Sequence, residues 1–157
     1  DLTLGYSTGG FSVSVTDYWF NGSAGYMRYG AHETAHVFEA QVGYDFGPVA
    51  VNWYTNFAGD DYTRYNGKRA YSSYISAPFK LGGLDWTAEI GATPWETSFY
   101  NYVEDKCPGS NGFTVCDISL SVSKDIKITN SFSLPLFAKA TWNPRTEDAY
   151  FVVGLSF

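Results

Sequence analysis

The chain has 157 residues, a length that fits one domain, and it combines many aromatic residues with few charged ones. Charged residues make up 17% of the sequence, against roughly 25% in an average soluble domain, whereas aromatic residues reach 19%. The net charge of −6 argues against a nucleic acid partner, because phosphate binding requires clustered Lys and Arg. No apolar run approaches the roughly 18 residues of a transmembrane helix, so any contact with lipid must be made by strands.

Apolar and polar residues alternate with period two along most of the chain, which predicts strands with two different faces rather than helices. In the second predicted strand, for example, Phe11, Val13 and Val15 alternate with serine and threonine. Most of the predicted strands are about as long as the 9–11 residues that a tilted membrane strand needs. In chain order we expect nine strands, at residues 1–7, 10–20, 35–45, 48–58, 69–80, 84–94, 112–123, 127–142 and 148–157.

The connections between these strands alternate in length. Outer-membrane barrels have short periplasmic turns and longer extracellular loops, so all the short turns can lie on one side of a membrane. The first strand then starts on the extracellular side, and an even-numbered barrel requires an odd number of strands before Asp1. We expect ten or twelve strands in the intact protein, or alternatively an eight-stranded barrel with residues 1–7 outside its wall. The short turns are Thr8–Gly9, Phe46–Pro48, Leu81–Gly83 and Ser123–Asp125, and the long loops are 21–34, 59–68, 95–111 and 143–147.

The composition of the polar face favours a membrane barrel over a soluble one. A soluble barrel turns its polar face to water and carries Lys, Glu and Asp there, whereas this face is mostly Ser, Thr, Gly, Asn and Tyr. Aromatic residues such as Phe132 and Trp142 begin and end several apolar faces, which is typical of two interfacial girdles. We therefore predict an all-β fold, an antiparallel up-and-down transmembrane β-barrel that forms one domain over residues 1–157 and lies in the outer membrane of a Gram-negative bacterium.

The end of the chain has the form of a last barrel strand. Residues 149–157 place four apolar side chains on one face, and the final one is Phe157. Together with this ending, the stretches that carry a family resemblance are Leu4–Ser7, Val15–Phe20, His36–Tyr44 and Gly154–Phe157. Through them the chain resembles the TorF-type family of bacterial porins. The resemblance implies a monomeric outer-membrane barrel with a proposed pore role, a longer amino end and no catalytic residues.

Residues 32–36, His-Glu-Thr-Ala-His, match the HExxH pattern of zinc proteases. That pattern works on a helix, where residues four apart stand on one face and both imidazoles reach one zinc. On an extended strand the two imidazoles would lie roughly 13 Å apart. Alternation from Phe38 to Tyr44 indicates such a strand directly after the motif. We therefore expect no enzyme activity, no cofactor and no metal, with His32 and His36 at most a weak metal-binding pair in an extracellular loop.

The polar face also predicts which side chains point into the barrel. Its tyrosines, among them Tyr150, would narrow a channel. A ring of carboxylates would favour cations, and the alternative is a set of paired charges that only braces the interior. The predicted lumen-facing residues are Glu39, Asp85, Glu89, Asp117, Lys139, Tyr54 and Tyr74.

The two cysteines leave a choice. Cys107 and Cys116 either form a disulfide that closes a short loop, which suits an oxidising compartment, or remain free thiols.

The predicted function is a porin or channel for small polar solutes. The alternative is a non-conducting scaffold or accessory barrel that binds another outer-membrane protein through its extracellular loops. The expected partners are outer-membrane lipid and either small polar solutes or that second protein.

Overall fold

The computed structural model describes residues 1–20, 24–63, 67–82, 85–95, 112–130 and 132–155. It contains nine strands in one sheet, and each strand pairs antiparallel with its neighbours in the sequence. The nine-stranded, all-β, up-and-down arrangement predicted by alternation is thereby confirmed. The strands are β1 (Leu2–Thr8), β2 (Phe11–Trp19), β3 (His36–Asp45), β4 (Ala50–Gly59), β5 (Ser73–Leu81), β6 (Trp86–Thr93), β7 (Thr114–Lys127), β8 (Ser133–Asn143) and β9 (Asp148–Leu155).

The sheet is open rather than closed into a barrel. Within the described residues, β1 pairs only with β2 and β9 pairs only with β8. Because successive strands alternate in direction, the first and ninth strands run the same way and cannot pair antiparallel with each other. No helix in the described ranges is long and apolar enough to cross a membrane.

The start of β5 and the β7–β8 connection differ most from the sequence prediction. β5 begins at Ser73 rather than at residue 69, because Arg69 bridges to Tyr62 in the preceding loop and Tyr71 has a φ of 50°. β7 continues to Lys127 and β8 begins at Ser133, so the turn predicted at Ser123–Asp125 is wrong. The two charged residues of the predicted turn, Lys124 and Asp125, are exposed yet pair within the β7–β8 ladder, so charge does not mark a turn here.

The pairing registers divide the side chains between two faces. One face, which we call the polar face, carries Ser12, Ser14, Thr16, Tyr18, Glu39, Gln41, Asn52, Tyr54, Asn56, Tyr74, Ser76, Thr87, Glu89, Asp117, Ser119, Ser121, Phe137, Lys139, Thr141 and Tyr150. The other, which we call the apolar face, carries Val13, Val15, Ala40, Val42, Val51, Trp53, Ile75, Ala77, Ala88, Ile90, Leu120, Ala138, Ala140, Phe151 and Val153.

The polar face is the more enclosed of the two. Asn56 and Ser76 are 3% and 4% exposed, whereas Val42 and Ile90 on the apolar face are 48% and 44% exposed. Among the described residues, the buried hydrophobic side chains are only Val37, Ala92 and Cys116. The sheet therefore encloses its polar face and leaves most of its apolar face uncovered, whereas an antiparallel sheet of a water-soluble protein usually packs its apolar face into a core.

Aromatic side chains concentrate at both ends of the apolar face. The end nearest the short turns carries Phe11, Tyr44, Phe46, Phe79 and Trp86, which we call the turn-side belt. The end nearest the long loops carries Trp19, Phe38, Phe57, Trp95 and Trp142, which we call the loop-side belt. Between the belts lies a band of mainly Val, Ile, Leu and Ala, the apolar band.

Candidate functional site

Each of the strands β2 to β8 places at least one ionisable or tyrosine side chain on the polar face, and we group one such side chain from each strand. Period-two alternation places them there, since each occupies a polar-face position in its strand register. We call this set the polar belt: Tyr18, Glu39, Tyr54, Tyr74, Glu89, Asp117 and Lys139.

Tyrosines connect the first half of the polar belt. The Tyr18 hydroxyl donates a hydrogen bond of 3.2 Å to Glu39 Oε1. Tyr54 and Tyr74 are paired directly across β4 and β5, with ring centroids 6.1 Å apart and an interplanar angle of 41°. Tyr54 also lies within electrostatic range of both Glu39 and Glu89. The hydroxyl-bearing rings therefore bridge the two halves of the belt.

Charged side chains form the second half. Glu89 lies within electrostatic range of the Lys139 ammonium and the Asp117 carboxylate. Tyr74 in turn lies near both carboxylates. With Glu39, the belt holds three carboxylates and a single ammonium group. Such a surface attracts cations and hydrogen-bonding solutes more than anions.

Glycines let aromatic rings lie flat on the polar face. A Cβ on Gly91 would overlap the Tyr74 hydroxyl, and a Cβ on Gly154 would overlap the Phe137 ring. Aromatic side chains commonly cover glycines of neighbouring strands in this way. The two rings therefore occupy part of the space that the polar face encloses.

Six of the predicted lumen-facing residues belong to the polar belt, and Asp85 does not. Asp85 precedes β6 and borders a separate cavity of about 390 Å³, which Thr87, Ser121 and Lys139 also line. Tyr150 lies opposite Thr141 on the same face, beyond the belt. Tyr18 was not among the predicted lumen-facing residues, although alternation along β2 places it on the same face as Ser14 and Thr16.

The predicted disulfide is not decided by the structure. Cys116 is buried, but Cys107 lies outside the described residues, so the choice between a disulfide and two free thiols stays open. Phe157, predicted as the terminal aromatic of the last strand, lies outside the described residues too. The disulfide and the terminal aromatic residue both stay predictions from the sequence.

The two histidines of the HExxH motif have separate surroundings. His32 lies in a turn and stacks on Tyr62, with ring centroids 4.2 Å apart. His36 opens β3, and its two ring nitrogens already contact Asp17 Oδ1 and the Tyr26 carbonyl, each at 2.6 Å. In the described part of the chain no group of three or more His, Cys, Asp or Glu side chains could hold a metal ion.

Comparison with protein-family models, curated proteins and solved structures finds no match to this chain. The resemblance to the TorF-type family therefore stays a prediction from the sequence stretches that carry it. The features that bear on function are the enclosed polar face with its polar belt and the exposed apolar face with its two aromatic belts.

Proposed function

We propose that this chain forms most of an outer-membrane β-barrel that conducts small polar solutes. The observation that carries the proposal is the largely uncovered apolar face, because the described residues include almost no buried hydrophobic side chains while many aliphatic residues of this face are exposed. Exposure of apolar surface to water costs about 25 cal/mol per Å². Acyl chains against the apolar band remove that cost, and the two aromatic belts suit the two membrane interfaces.

Closure of the barrel with antiparallel pairing throughout, as in bacterial single-chain barrels, requires further strands. In a bilayer each unpaired backbone group of an edge strand costs several kcal/mol, so the free edges of β1 and β9 need partners. An odd number of additional strands joins these two parallel edges with antiparallel pairing throughout. One or three strands give a barrel of ten or twelve.

The polar belt then lines the lumen. Barrels of about eight strands are filled by side chains, and those of 16–18 strands leave an aqueous channel, so a barrel of ten or twelve lies between these cases. Tyr54 and Tyr74 narrow this lumen, and the carboxylates outnumber Lys139. The solutes that suit such a passage are small, polar, and neutral or cationic.

The packing of Tyr74 over Gly91 and Phe137 over Gly154 favours a second candidate function. If rings and paired charges fill the interior, the barrel is a non-conducting scaffold that binds another outer-membrane protein through its long loops. This candidate shares the membrane location and differs only in the state of the lumen.

Conductance of the detergent-folded intact protein, with its closing strands, tests the proposal in planar bilayers. We expect discrete channels whose reversal potential in a KCl gradient shows cation preference. Removing the positive charge with Lys139→Gln should raise the cation-to-anion permeability ratio and Glu89→Gln should lower it, each by roughly fivefold for about 1 kcal/mol of electrostatic energy.

A matched control is Ser121→Ala, a neutral change opposite Lys139 on the same face. It should leave the permeability ratio unchanged. A folded barrel that never conducts, and that co-purifies with a second membrane protein, would support the scaffold instead. A chain that is soluble without detergent would contradict both candidates.

A further inference from the structure

An acid–histidine pair interrupts the apolar face at its loop end. Asp17 on β2 and His36 on β3 both occupy apolar-face positions, and His36 Nδ1 lies 2.6 Å from Asp17 Oδ1. The His36 side chain is fully buried and that of Asp17 is 14% exposed. Ionisable groups on an apolar surface are unfavourable unless they are paired and covered.

The first long loop provides the cover. The Tyr29 ring stacks on His36 with centroids 4.3 Å apart, and the Tyr26 ring meets it edge-on at 5.0 Å. Tyr26 also contacts Trp19 in the loop-side belt. At the end of the loop, Thr34 Oγ1 accepts a 3.0 Å hydrogen bond from the His36 backbone N–H. The loop therefore folds back onto the outer surface of β2 and β3.

Each of the two hydrogen bonds of the His36 ring needs its own proton, one on Nδ1 and one on Nε2. Nε2 lies 2.6 Å from the Tyr26 carbonyl oxygen, which can only accept, so Nε2 donates. An ionised Asp17 carboxylate can likewise only accept, so Nδ1 must donate too. A neutral imidazole carries a proton on only one nitrogen. The lone pair of its other nitrogen would then face an oxygen lone pair, and that contact is repulsive.

The surroundings of His36 favour its charged form. Burial lowers the pKa of His36, but the hydrogen bonds to Asp17 and the Tyr26 carbonyl, with the charge of Asp17, raise it above its usual value overall. His36 lies at the loop end of β3, outside the apolar band. Asp17 faces the ring from β2 and Tyr26 and Tyr29 face it from the loop, while Asp60 donates only its backbone N–H to the His36 carbonyl.

We propose that Asp17, His36 and the Tyr26 carbonyl form a latch that docks the first long loop on the apolar face while His36 carries both protons and releases it when one is lost. The stabilisation is complete below the ordinary histidine pKa of about 6.5 and disappears as the pH rises through the raised value. Partial desolvation by its neighbours, with the charges of Tyr26 and Asp17, raises the pKa of Tyr29, so this ring stays neutral over the same range. The latch depends on side chains outside the polar belt and does not require a conducting lumen.

Trypsin cleavage reports release of the loop. Arg28 is the single Lys or Arg between residues 21 and 35, so cleavage after it identifies an undocked loop. We expect its rate in the detergent-folded full chain to rise about tenfold between pH 6 and pH 9, as for loss of one hydrogen bond to a charged group. Cleavage of a standard peptide corrects for the pH dependence of trypsin. A nitrogen-15 NMR titration of the His36 ring should give the same midpoint.

The variant Asp17→Asn separates the latch from a general effect of pH. An amide can offer either its oxygen or its NH₂ group to Nδ1, so it satisfies both the charged and the neutral ring. Cleavage after Arg28 should then stay slow at every pH. The matched control His32→Asn removes the other histidine and should keep the wild-type profile.

Two results would overturn the latch. The first is wild-type cleavage that does not change while the NMR signals of His36 titrate. The second is an Asp17→Asn variant that reproduces the wild-type pH profile. If that variant does not fold, the wild-type cleavage and titration still decide the question.

Discussion

At the scale of single residues, the Tyr74 side chain on β5 occupies the space that a side chain at Gly91 on β6 would need. Because a Cβ at this position would overlap the Tyr74 hydroxyl, we expect Gly91→Ala to destabilise the folded protein by about 1–3 kcal/mol, as overpacking does. In a Tyr74→Phe background the hydroxyl is absent and the penalty should shrink by at least about 0.5 kcal/mol, the size of coupling between residues in contact. Urea unfolding in lipid vesicles measures both.

The matched control is Gly82→Ala, because a Cβ at that position meets nothing within 4 Å. It should change the free energy of unfolding little. Additive effects of the two substitutions at Gly91 and Tyr74 would contradict the packing of this ring. Alternation gave the face of both residues, but their contact depends on the register between strands, which a period-two pattern does not contain.

At the scale of elements, the β7–β8 connection shows where sequence reasoning failed. Lys124 pairs with Leu136 inside the ladder, and the chain turns only after Lys127. We therefore expect insertion of two glycines between Thr129 and Asn130 to be tolerated, since turns accept insertions. The same insertion between Lys124 and Asp125 interrupts strand pairing and should lower the folded fraction severalfold. Heat-modifiable gel migration after refolding measures that fraction, and equal tolerance at both sites would contradict the observed turn.

Strand number, order and face were nevertheless predictable from the sequence. Alternation from Phe11 to Thr16 or from Val49 to Phe57 records the environment of each face, which acts on every second residue. Charge was the less reliable signal, because Lys124 and Asp125 remain hydrated at the end of the sheet without leaving the strand. The Asp17–His36 pair was not predicted, since a loop that folds back over a strand leaves no periodic trace in the sequence.

At the scale of the whole molecule, stability depends on what covers the apolar face. A sheet that encloses serine, asparagine and glutamate gains little from hydrophobic burial, so the largest favourable contribution must come from outside the chain. The free edges of β1 and β9 also need something outside the described sheet, because their backbone groups need hydrogen-bond partners wherever water is excluded. The bilayer and the one or three closing strands that we propose would satisfy both requirements together.

Adjacent residues on β3 allow a direct test of which face meets lipid. Val42 lies in the apolar band, whereas Gln41 lies on the polar face and hydrogen-bonds Ser12 and Ser14. We expect Val42→Arg to destabilise the vesicle-inserted protein by about 2–4 kcal/mol, the cost of arginine on a lipid-facing strand near the midplane. Gln41→Arg loses hydrogen bonds worth about 1 kcal/mol each but keeps a polar lumen around the charge. Urea unfolding in vesicles compares the free energies of unfolding of the two variants. If the Val42→Arg protein is more stable than the Gln41→Arg protein, or no longer needs detergent, then water rather than lipid covers this face.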